Sequence, residues 1–347
     1  MKEYLKKFET MSQYQVYTAS TEYITPNVSY IEENNTLIYN DRKYLTFKAL
    51  ENGTFKFSGS TTANTLSYST DEGTTWTPLA DNTDTPTVTA GNTIMFKGTC
   101  TPQTDEGIGR FSSTARFDAE GNVMSLLFGD DSEGKTSLSG KAYAFYGLFS
   151  GCTTIVNAEN MRLPATTLAS SCYNSMFRGC TSLTTAPELP ATAITSSCYN
   201  CMFYGCTSLT TAPELPATTL ASYCYYYMFY RCNSLTTAPE LPATTLASNC
   251  YAYMFYRCNS LTTAPELPAL ELVSYCYQYM FQNCTNLNYI KAMFIREPGS
   301  SSTNSWVNGV ASSGTFVMNS NAEWNTGTTA CGASTYPCNW TVETAPS

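Results

Sequence analysis

Apolar positions recur at a fixed interval through the middle of the chain. Two ladders of cysteines keep a spacing of 26 residues, one at Cys172, Cys198, Cys224, Cys250 and Cys276, the other at Cys180, Cys206, Cys232, Cys258 and Cys284. Within one copy Cys172, Met176, Phe177 and Cys180 are fixed, and their spacing places them on one side of a helix. Such a period is typical of a solenoid, in which each unit buries a face against the next.

The rest of each unit predicts a short extended segment. Leu183 and Leu189 supply the wall opposite the helix, and the strand falls between Thr184 and Leu189. Pro187 cannot donate to a ladder, so the strand has only about two to four residues or bends there. A degenerate copy at Gly147–Cys152 precedes the full units, as expected of a capping unit.

Residues 44–130 alternate apolar and polar positions between turn signals. The predicted strands are 44–49, 53–57, 65–69, 87–89, 93–98, 111–117 and 123–127. A spacing of about ten residues between strands favours a β-sandwich.

These patterns divide the chain into four parts and predict an α+β multi-domain fold. Residues 1–43 form a small leading module, 44–130 an all-β sandwich-like domain, 131–295 a short α/β solenoid of leucine-rich-repeat type, and 296–347 a small β cap. The leading module is too small for a core of its own, so we expect it to attach to a partner chain.

Composition narrows the function. The 347 residues carry a net charge of -9, and an acidic chain without a basic patch is not expected to bind nucleic acid. No segment is apolar enough to enter a membrane, and no secretory signal is expected. Histidine is absent from the sequence, which removes the usual general base and the commonest metal ligand. We therefore expect no enzymatic activity and no cofactor.

The cysteines of the ladders are expected to be small buried apolar residues. Each unit pairs them eight residues apart, wider than a zinc knuckle. Disulfides within the repeats are not expected, because all units share one geometry. Cys331 and Cys338 are the better candidates for a pair.

One eight-residue motif in the all-β part stands out. Ser69–Trp76 resembles the Asp-box of sialidase propellers and other sugar-active β-proteins. In that family the box is a structural hairpin, which implies that Asp71 binds turn amides, Gly73 takes a positive φ and Trp76 packs inward. A sugar site there is the alternative.

Positions that differ between repeats fall on the predicted helix face opposite the core. They carry mostly Tyr, Ser, Asn, Arg, Gly and Gln, the residue types of binding loops. Free drift of exposed positions is the alternative, but drift would also bring in Lys and Glu, which do not occur there. The predicted ligand-binding face consists of Tyr223, Tyr226, Tyr227, Tyr230, Arg231, Tyr253, Tyr256, Arg257, Tyr275 and Tyr279.

A second regular feature is one glutamate in each of four units, at Glu188, Glu214, Glu240 and Glu266. Stacked units would place these carboxylates roughly 5 Å apart, a separation found in retaining glycosidases and one that also suits Ca²⁺ between neighbours. A ladder in which every member has the same environment is a poor active site. We expect a solvated stripe, and metal binding or hydrolysis stay open.

The repeat pattern MFxxCTSL…LPATTLAxxCYxxMFxxC resembles the BspA-like leucine-rich repeats, whose units carry AFxxCxxL followed by LP. The wider arrangement, with FETxSQY near the start, YLTFKALENGTFKFSG after it and SGTFVMNSNAEWN in the tail, is similar to proteins of gut Bacteroidales and their phages. That resemblance implies a surface or virion protein.

These observations lead to a functional expectation. We expect a non-enzymatic phage virion protein, a tail or head fibre or a decoration, that binds a host surface glycan or protein through the solenoid. Residues 1–43 would attach it to other virion proteins, and a homo-oligomer stays open. The alternatives are a bacterial cell-surface adhesin and a carbohydrate-active hydrolase.

Overall fold

The computed structural model describes residues 42–59, 65–324 and 331–345. The predicted attachment module, residues 1–43, lies almost wholly outside the described residues. The strands are β1 Leu45–Ala49, β2 Phe55–Ser58, β3 Leu66–Ser69, β4 Thr77–Leu79, β5 Thr83–Asp84, β6 Thr93–Gly98, β7 Arg110–Ser113, β8 Phe117–Asn122, β9 Ile155–Asn157, β10 Met161–Arg162, β11 Tyr289–Ala292, β12 Thr315–Met318 and β13 Thr341–Thr344. The helices are α1 Ser125–Phe128 and α2 Ser300–Thr303. The described chain is therefore mostly β with few helices.

A mixed sheet and an antiparallel sheet meet over a phenylalanine core in the first part of the chain. One sheet has the order β10-β8-β1-β6-β3-β4, with β9 also paired to β8, and the other has the order β5-β2-β7. Phe47 of β1 is fully buried, and its ring centroid lies 5.3 Å from that of Phe55 and 5.0 Å from that of Phe111 on the other sheet. Apolar side chains alternating along β1 and β2 thus join the two sheets.

Three of the predicted strands are wrong in this part. Residues 87–89 contribute only an isolated bridge between Val88 and Gly53. Residues 111–117 divide into β7 and β8, because the Ser113 hydroxyl accepts the N–H of Ala115 and turns the chain between them. Residues 123–127 lead into α1 instead of forming a strand. Val123, Met124, Leu126 and Leu127 are all buried, and consecutive burial is satisfied by a short helical turn as well as by a strand.

The all-β part closes the first end of the repeats. Strand β8 pairs in parallel with β9 and β10, which belong to the first repeats. The Phe111 N–H donates to the Leu148 carbonyl at 2.7 Å, and the Phe149 ring lies 5.8 Å from both Phe47 and Phe111. Backbone groups and aromatic rings that would otherwise face water at the end of the repeats are therefore paired.

The helix predicted for each repeat is wrong. Residues 170–180 and their equivalents form consecutive turns, and every fourth residue has a positive φ, as at Ser171 (55°), Ser175 (57°) and Gly179 (73°). Left-handed residues interrupt an α-helix, because a helix needs a right-handed conformation at each position. Each turn takes four residues, close to the 3.6 residues of a helical turn. Cys172, Met176, Phe177 and Cys180 therefore still face the core together.

Backbone hydrogen bonds in these turns follow a strict alternation. From Ser171 to Cys180, odd-numbered N–H groups donate to carbonyls 25 residues ahead at 2.7–3.1 Å. Even-numbered N–H groups donate to carbonyls three residues back at 3.0–3.3 Å. Every N–H in this segment thus has a partner, and within these turns the bonds to the neighbouring unit all point the same way.

Buried side chains form continuous columns along the stacked repeats. The phenylalanine column consists of Phe149, Phe177, Phe203, Phe229, Phe255 and Phe281, with neighbouring ring centroids 5.3–5.7 Å apart. A second column consists of Tyr173, Tyr199, Tyr225, Tyr251 and Tyr277, each at most 1% exposed. Parallel stacking of identical rings explains why these positions do not vary between units.

The cysteines of one ladder also make a specific contact. Cys232 Sγ donates to the Phe203 carbonyl at 3.1 Å, and its equivalents repeat this bond along the stack. Burial raises the pKa of Cys284, a member of this ladder, to about 12. These thiols are therefore neutral packing groups that satisfy a backbone acceptor.

The tail continues the 26-residue period in its backbone. Tyr289 of β11 pairs in parallel with Thr315 of β12, which pairs with Thr341 of β13. Trp306 takes the place of the ring columns, 6.3 Å from the Tyr277 ring and 6.2 Å from the Phe281 ring. A disulfide joins Cys331 to Cys338. The repeats thus end in further, divergent units that cover the last ring columns.

Candidate functional site

The outward-facing tyrosines of adjacent repeats stack into two columns, here called the tyrosine ladder. The first column consists of Tyr204, Tyr230 and Tyr256, with ring centroids 4.5 and 4.7 Å apart. The second consists of Tyr227, Tyr253 and Tyr279, with centroids 4.4 and 4.6 Å apart. The two columns touch, since the Tyr227 and Tyr230 rings are 5.2 Å apart. The result is a continuous aromatic surface in which each column spans three units and the two columns together span four.

The other predicted tyrosines border the tyrosine ladder. Tyr226 packs edge-on against Tyr227 at 4.3 Å and against Tyr223 at 5.3 Å. Tyr223 is 41% exposed and Tyr275 is 44% exposed, among the largest values for apolar side chains in the described residues. The predicted binding residues are thus brought together on one outer surface. Tyr204 also belongs to this surface, although it was not among the predicted binding residues. Its position 26 residues before Tyr230 could have identified it from the sequence.

Arginines line one edge of the tyrosine ladder. The guanidinium carbon of Arg231 lies 5.4 Å from the Tyr230 ring centroid, and that of Arg257 lies 5.6 Å from the Tyr256 ring. Arg178 occupies the position of Tyr204 in the preceding unit and lies over the Tyr204 ring at 5.1 Å. Cation–π contacts of this kind favour a position of each guanidinium beside its ring.

A shallow groove of about 500 Å³ follows this edge. Its lining residues are Arg231, Asn233, Arg257, Asn259, Asn283 and Thr285. The asparagines and the threonine were not among the predicted site residues. A signal for two of them exists in the sequence, because Asn233 and Asn259 occur only in the units that carry Arg231 and Arg257.

The backbone under this surface is strained. Tyr227 (φ 57°), Arg231 (59°), Tyr253 (57°) and Arg257 (59°) adopt the left-handed conformation. This conformation costs roughly 1–2 kcal/mol for a residue with a Cβ and almost nothing for glycine. The large side chains at these positions therefore occupy a backbone conformation that their residue types disfavour. Backbone strain of this kind is common at functional sites.

The Tyr227 and Tyr230 hydroxyls stay neutral. Burial within the ladder is the main cause that raises the pKa of Tyr227 above its usual range, followed by the hydrogen bond with Tyr226. Burial also raises the pKa of Tyr230, against a smaller opposite effect of Arg231. The surface therefore combines neutral hydroxyls and rings with the fixed positive charge of its arginine edge.

The four glutamates of the predicted stripe are exposed and lie apart from the tyrosine ladder in sequence. Glu266 forms an ion pair with Lys291 at 2.9 Å. Among residues 42–59, 65–324 and 331–345, no three Asp, Glu, Cys or His side chains converge in a way that could hold a metal ion. The stripe at Glu188, Glu214, Glu240 and Glu266 therefore offers no assembled metal site.

The Asp-box forms a hydrogen-bonded hairpin. Asp71 accepts the Thr75 N–H at 2.9 Å and the Thr75 hydroxyl at 2.6 Å. Gly73 has a φ of 86°, and its carbonyl accepts the indole N–H of Trp76 at 3.0 Å. Trp76 is half-buried with its ring 4.8 Å from Tyr44. Each group of the motif is occupied in holding the turn, which favours the structural role.

The carboxyl of Asp71 gives the hairpin a measurable acid response. Its hydrogen bonds, led by the one from the Thr75 hydroxyl, lower its pKa to about 2. A folded pKa below the unfolded value of about 3.9 means that the stabilisation is complete above about pH 4 and is lost as the pH falls towards about 2. Thr75→Ala should raise the Asp71 pKa in an NMR titration. Thr74→Ala is the control, since the Thr74 hydroxyl donates to the Asp71 backbone carbonyl instead. An unchanged Asp71 pKa in Thr75→Ala would contradict this assignment.

No membrane-spanning helix occurs in the described part of the chain, where α1 and α2 have four residues each.

Comparison with known proteins gives one family. Residues 143–239 and 221–297 match the BspA type leucine rich repeat region, in six copies. No curated protein and no solved structure matches the chain. The matched residues include the whole of the tyrosine ladder and its arginine edge.

Proposed function

Because residues 143–297 form a BspA-type leucine-rich repeat region, we propose that the protein is a non-enzymatic binding protein of the adhesin type. Its repeats form a solenoid, with the all-β part as a sandwich that closes the first end. The tyrosine ladder is the binding surface. The observation that carries this proposal is the continuous stack of outward-facing rings over three units, beside arginines held in place by those rings.

The chemistry of the tyrosine ladder fits a glycan or protein on a cell surface. Stiff aromatic side chains lose little conformational entropy on binding, and Tyr and Arg are enriched among residues that dominate binding energy. Neighbouring rings within each column cover each other's faces, so the surface presents ring edges and hydroxyls. The hydroxyls and C–H groups of sugars can contact such hydroxyls and ring edges.

The double substitution Tyr227→Ala with Tyr230→Ala tests the proposal. Two such anchors contribute roughly 2 kcal/mol or more each, so attachment to host cells or their surface glycans should weaken roughly tenfold or more. Both side chains are partly exposed, so the cooperative unfolding transition should be retained. The measurement is cell attachment by flow cytometry beside thermal unfolding.

A matched control is Thr236→Ala with Thr262→Ala, which removes two exposed side chains from the same repeats away from the tyrosine ladder. Full attachment by a folded Tyr227→Ala/Tyr230→Ala protein would leave the repeats as a spacer and contradict the proposal.

The place of action that we propose is a phage virion, as a fibre or decoration protein attached through residues 1–43. Its support is the resemblance of the leading and tail segments to proteins of gut Bacteroidales phages. The bacterial cell surface is the alternative, supported by the same repeat family. Mass spectrometry of purified particles and of host envelopes distinguishes the two, because the protein should be enriched in one fraction.

A further inference from the structure

We propose that the arginine edge of the tyrosine ladder binds the carboxylate groups of a linear acidic glycan, whose sugars run along the exposed edges and hydroxyls of the tyrosines. The edge consists of Arg231, Asn233, Arg257, Asn259 and Asn283. This inference rests on the proposed function and adds the chemical class of the ligand.

A coordinated change between repeats is the first argument. The units with Gly179 and Gly205 carry Thr181 and Thr207 two residues later, whereas the units with Arg231 and Arg257 carry asparagine there. Both changed positions line the same groove. Arginine supplies a forked set of donors and asparagine adds an amide, which together match the oxygens of a carboxylate. Two adjacent units have thus acquired the same pair of anion-binding groups.

Charge is the second argument. The protein has a net charge of -9, yet no carboxylate lines this groove. Within the described ranges, the Arg231 and Arg257 side chains have neither an ion pair nor a protein hydrogen-bond acceptor. Arg42 and Lys291, by contrast, each pair with a carboxylate. An anionic ligand is attracted to the arginine edge and repelled by the rest of this acidic protein. The charge distribution therefore directs such a ligand to the groove.

Spacing is the third argument. Neighbouring units of a parallel stack lie about 4.8 Å apart, and the tyrosine rings follow this spacing at 4.4–4.7 Å. One unit therefore advances by a distance similar to the length of one pyranose residue in an extended chain. Equivalent groups on successive sugars would meet equivalent groups on successive repeats, which favours a regular polysaccharide over a peptide of mixed sequence.

Backbone strain is the fourth argument. Arg231 and Arg257 occupy a left-handed position that two earlier units fill with glycine. Glycine is the residue that this conformation favours, so folding alone does not explain the arginines. The variant Arg231→Gly with Arg257→Gly restores the residue of the earlier units, and it should unfold at the same temperature as the parent or higher.

Oligogalacturonate and its fully methyl-esterified form are the test probes, since they share sugar, linkage and length and differ in charge. The parent protein should bind the acid form roughly tenfold or more tightly than the ester in titration calorimetry. This preference should disappear in Arg231→Gly/Arg257→Gly and in Arg231→Gln/Arg257→Gln. Raising the salt from about 0.05 to about 0.5 M should weaken binding of the acid form and leave the ester unaffected.

The outcomes separate the ligand class from the binding surface. Equal binding of acid and ester, lost in Tyr227→Ala/Tyr230→Ala, overturns the acidic ligand and keeps the proposed function. If neither probe binds while attachment to cells still depends on the tyrosines, the acidic ligand is likewise overturned and the proposed function is kept. Binding of poly-L-glutamate as tight as that of oligogalacturonate overturns the sugar assignment. Unaltered attachment to cells by the tyrosine variant overturns the proposed function itself.

Discussion

Replacing Phe229 by alanine is expected to lower the free energy of unfolding by about 3–5 kcal/mol. Phe229 is fully buried in the middle of the phenylalanine column, with the Phe203 ring 5.7 Å away on one side and the Phe255 ring 5.6 Å away on the other. Removing the ring takes a contact from both neighbouring units at once. Because each unit depends on its neighbours, the loss should spread along the repeats instead of staying local.

Urea unfolding followed by far-UV circular dichroism measures this effect. The adjacent residue provides the control, since Tyr230→Ala removes a ring of similar size from the outer surface. Its two stacking partners contribute roughly 0.5–1.5 kcal/mol each, so the cost should stay below that of Phe229→Ala. A Phe229→Ala protein with the same midpoint and slope as the parent would show that the column does not carry the stability assigned to it.

Replacing Phe47 by alanine should destabilise two parts of the molecule together. Its ring contacts Phe55, Phe96, Phe111 and Phe117 in the all-β part and Phe149 in the first repeat, at centroid distances of 4.6–5.8 Å. The expected cost is again about 3–5 kcal/mol, the usual range for a buried phenylalanine. Since β8 also pairs with β9 and β10, loosening the sheets should expose the start of the repeats.

Hydrogen exchange with mass spectrometry can locate the effect. Protection should fall both in residues 45–58 and in residues 144–165 of Phe47→Ala, whereas Leu50→Ala, at a residue that is 39% exposed, should leave both segments unchanged. Loss of protection confined to the first segment would mean that the all-β part and the repeats unfold independently.

The period and much of the core could be predicted from the sequence alone. A spacing of 26 residues fixes which side chains become neighbours, so the burial of Cys172, Met176, Phe177 and Cys180 followed directly from their invariance. The same logic should have included Tyr173, which is equally invariant and fully buried. A tyrosine hydroxyl generally favours a polar environment, and the ring column that buries Tyr173 is formed only by stacking.

The local backbone could not be predicted by periodicity. Apolar residues separated by four, five and eight positions fit a helix, yet a turn that repeats every four residues gives almost the same spacing. The distinguishing property is the left-handed conformation at every fourth position. Ser175, Tyr227 and Arg231 adopt this conformation although their residue types do not predict it. Only the glycines at Gly179 and Gly205 indicate it in the sequence. Contacts between distant segments, such as β8 with β9, leave no local signal at all.

The same-direction hydrogen bonds between repeats make every junction in the stack chemically interchangeable. In the turn segments each unit offers N–H donors to the next unit and carbonyl acceptors to the previous one, and each donor lies 25 residues before its acceptor in the chain. A duplicated or deleted stretch of 26 residues would therefore restore an equivalent junction, and both divergent ends would keep their own neighbours. Gene rearrangement could thus change the number of stacked units, and with it the length of the tyrosine ladder, in whole steps that keep the pattern of core contacts.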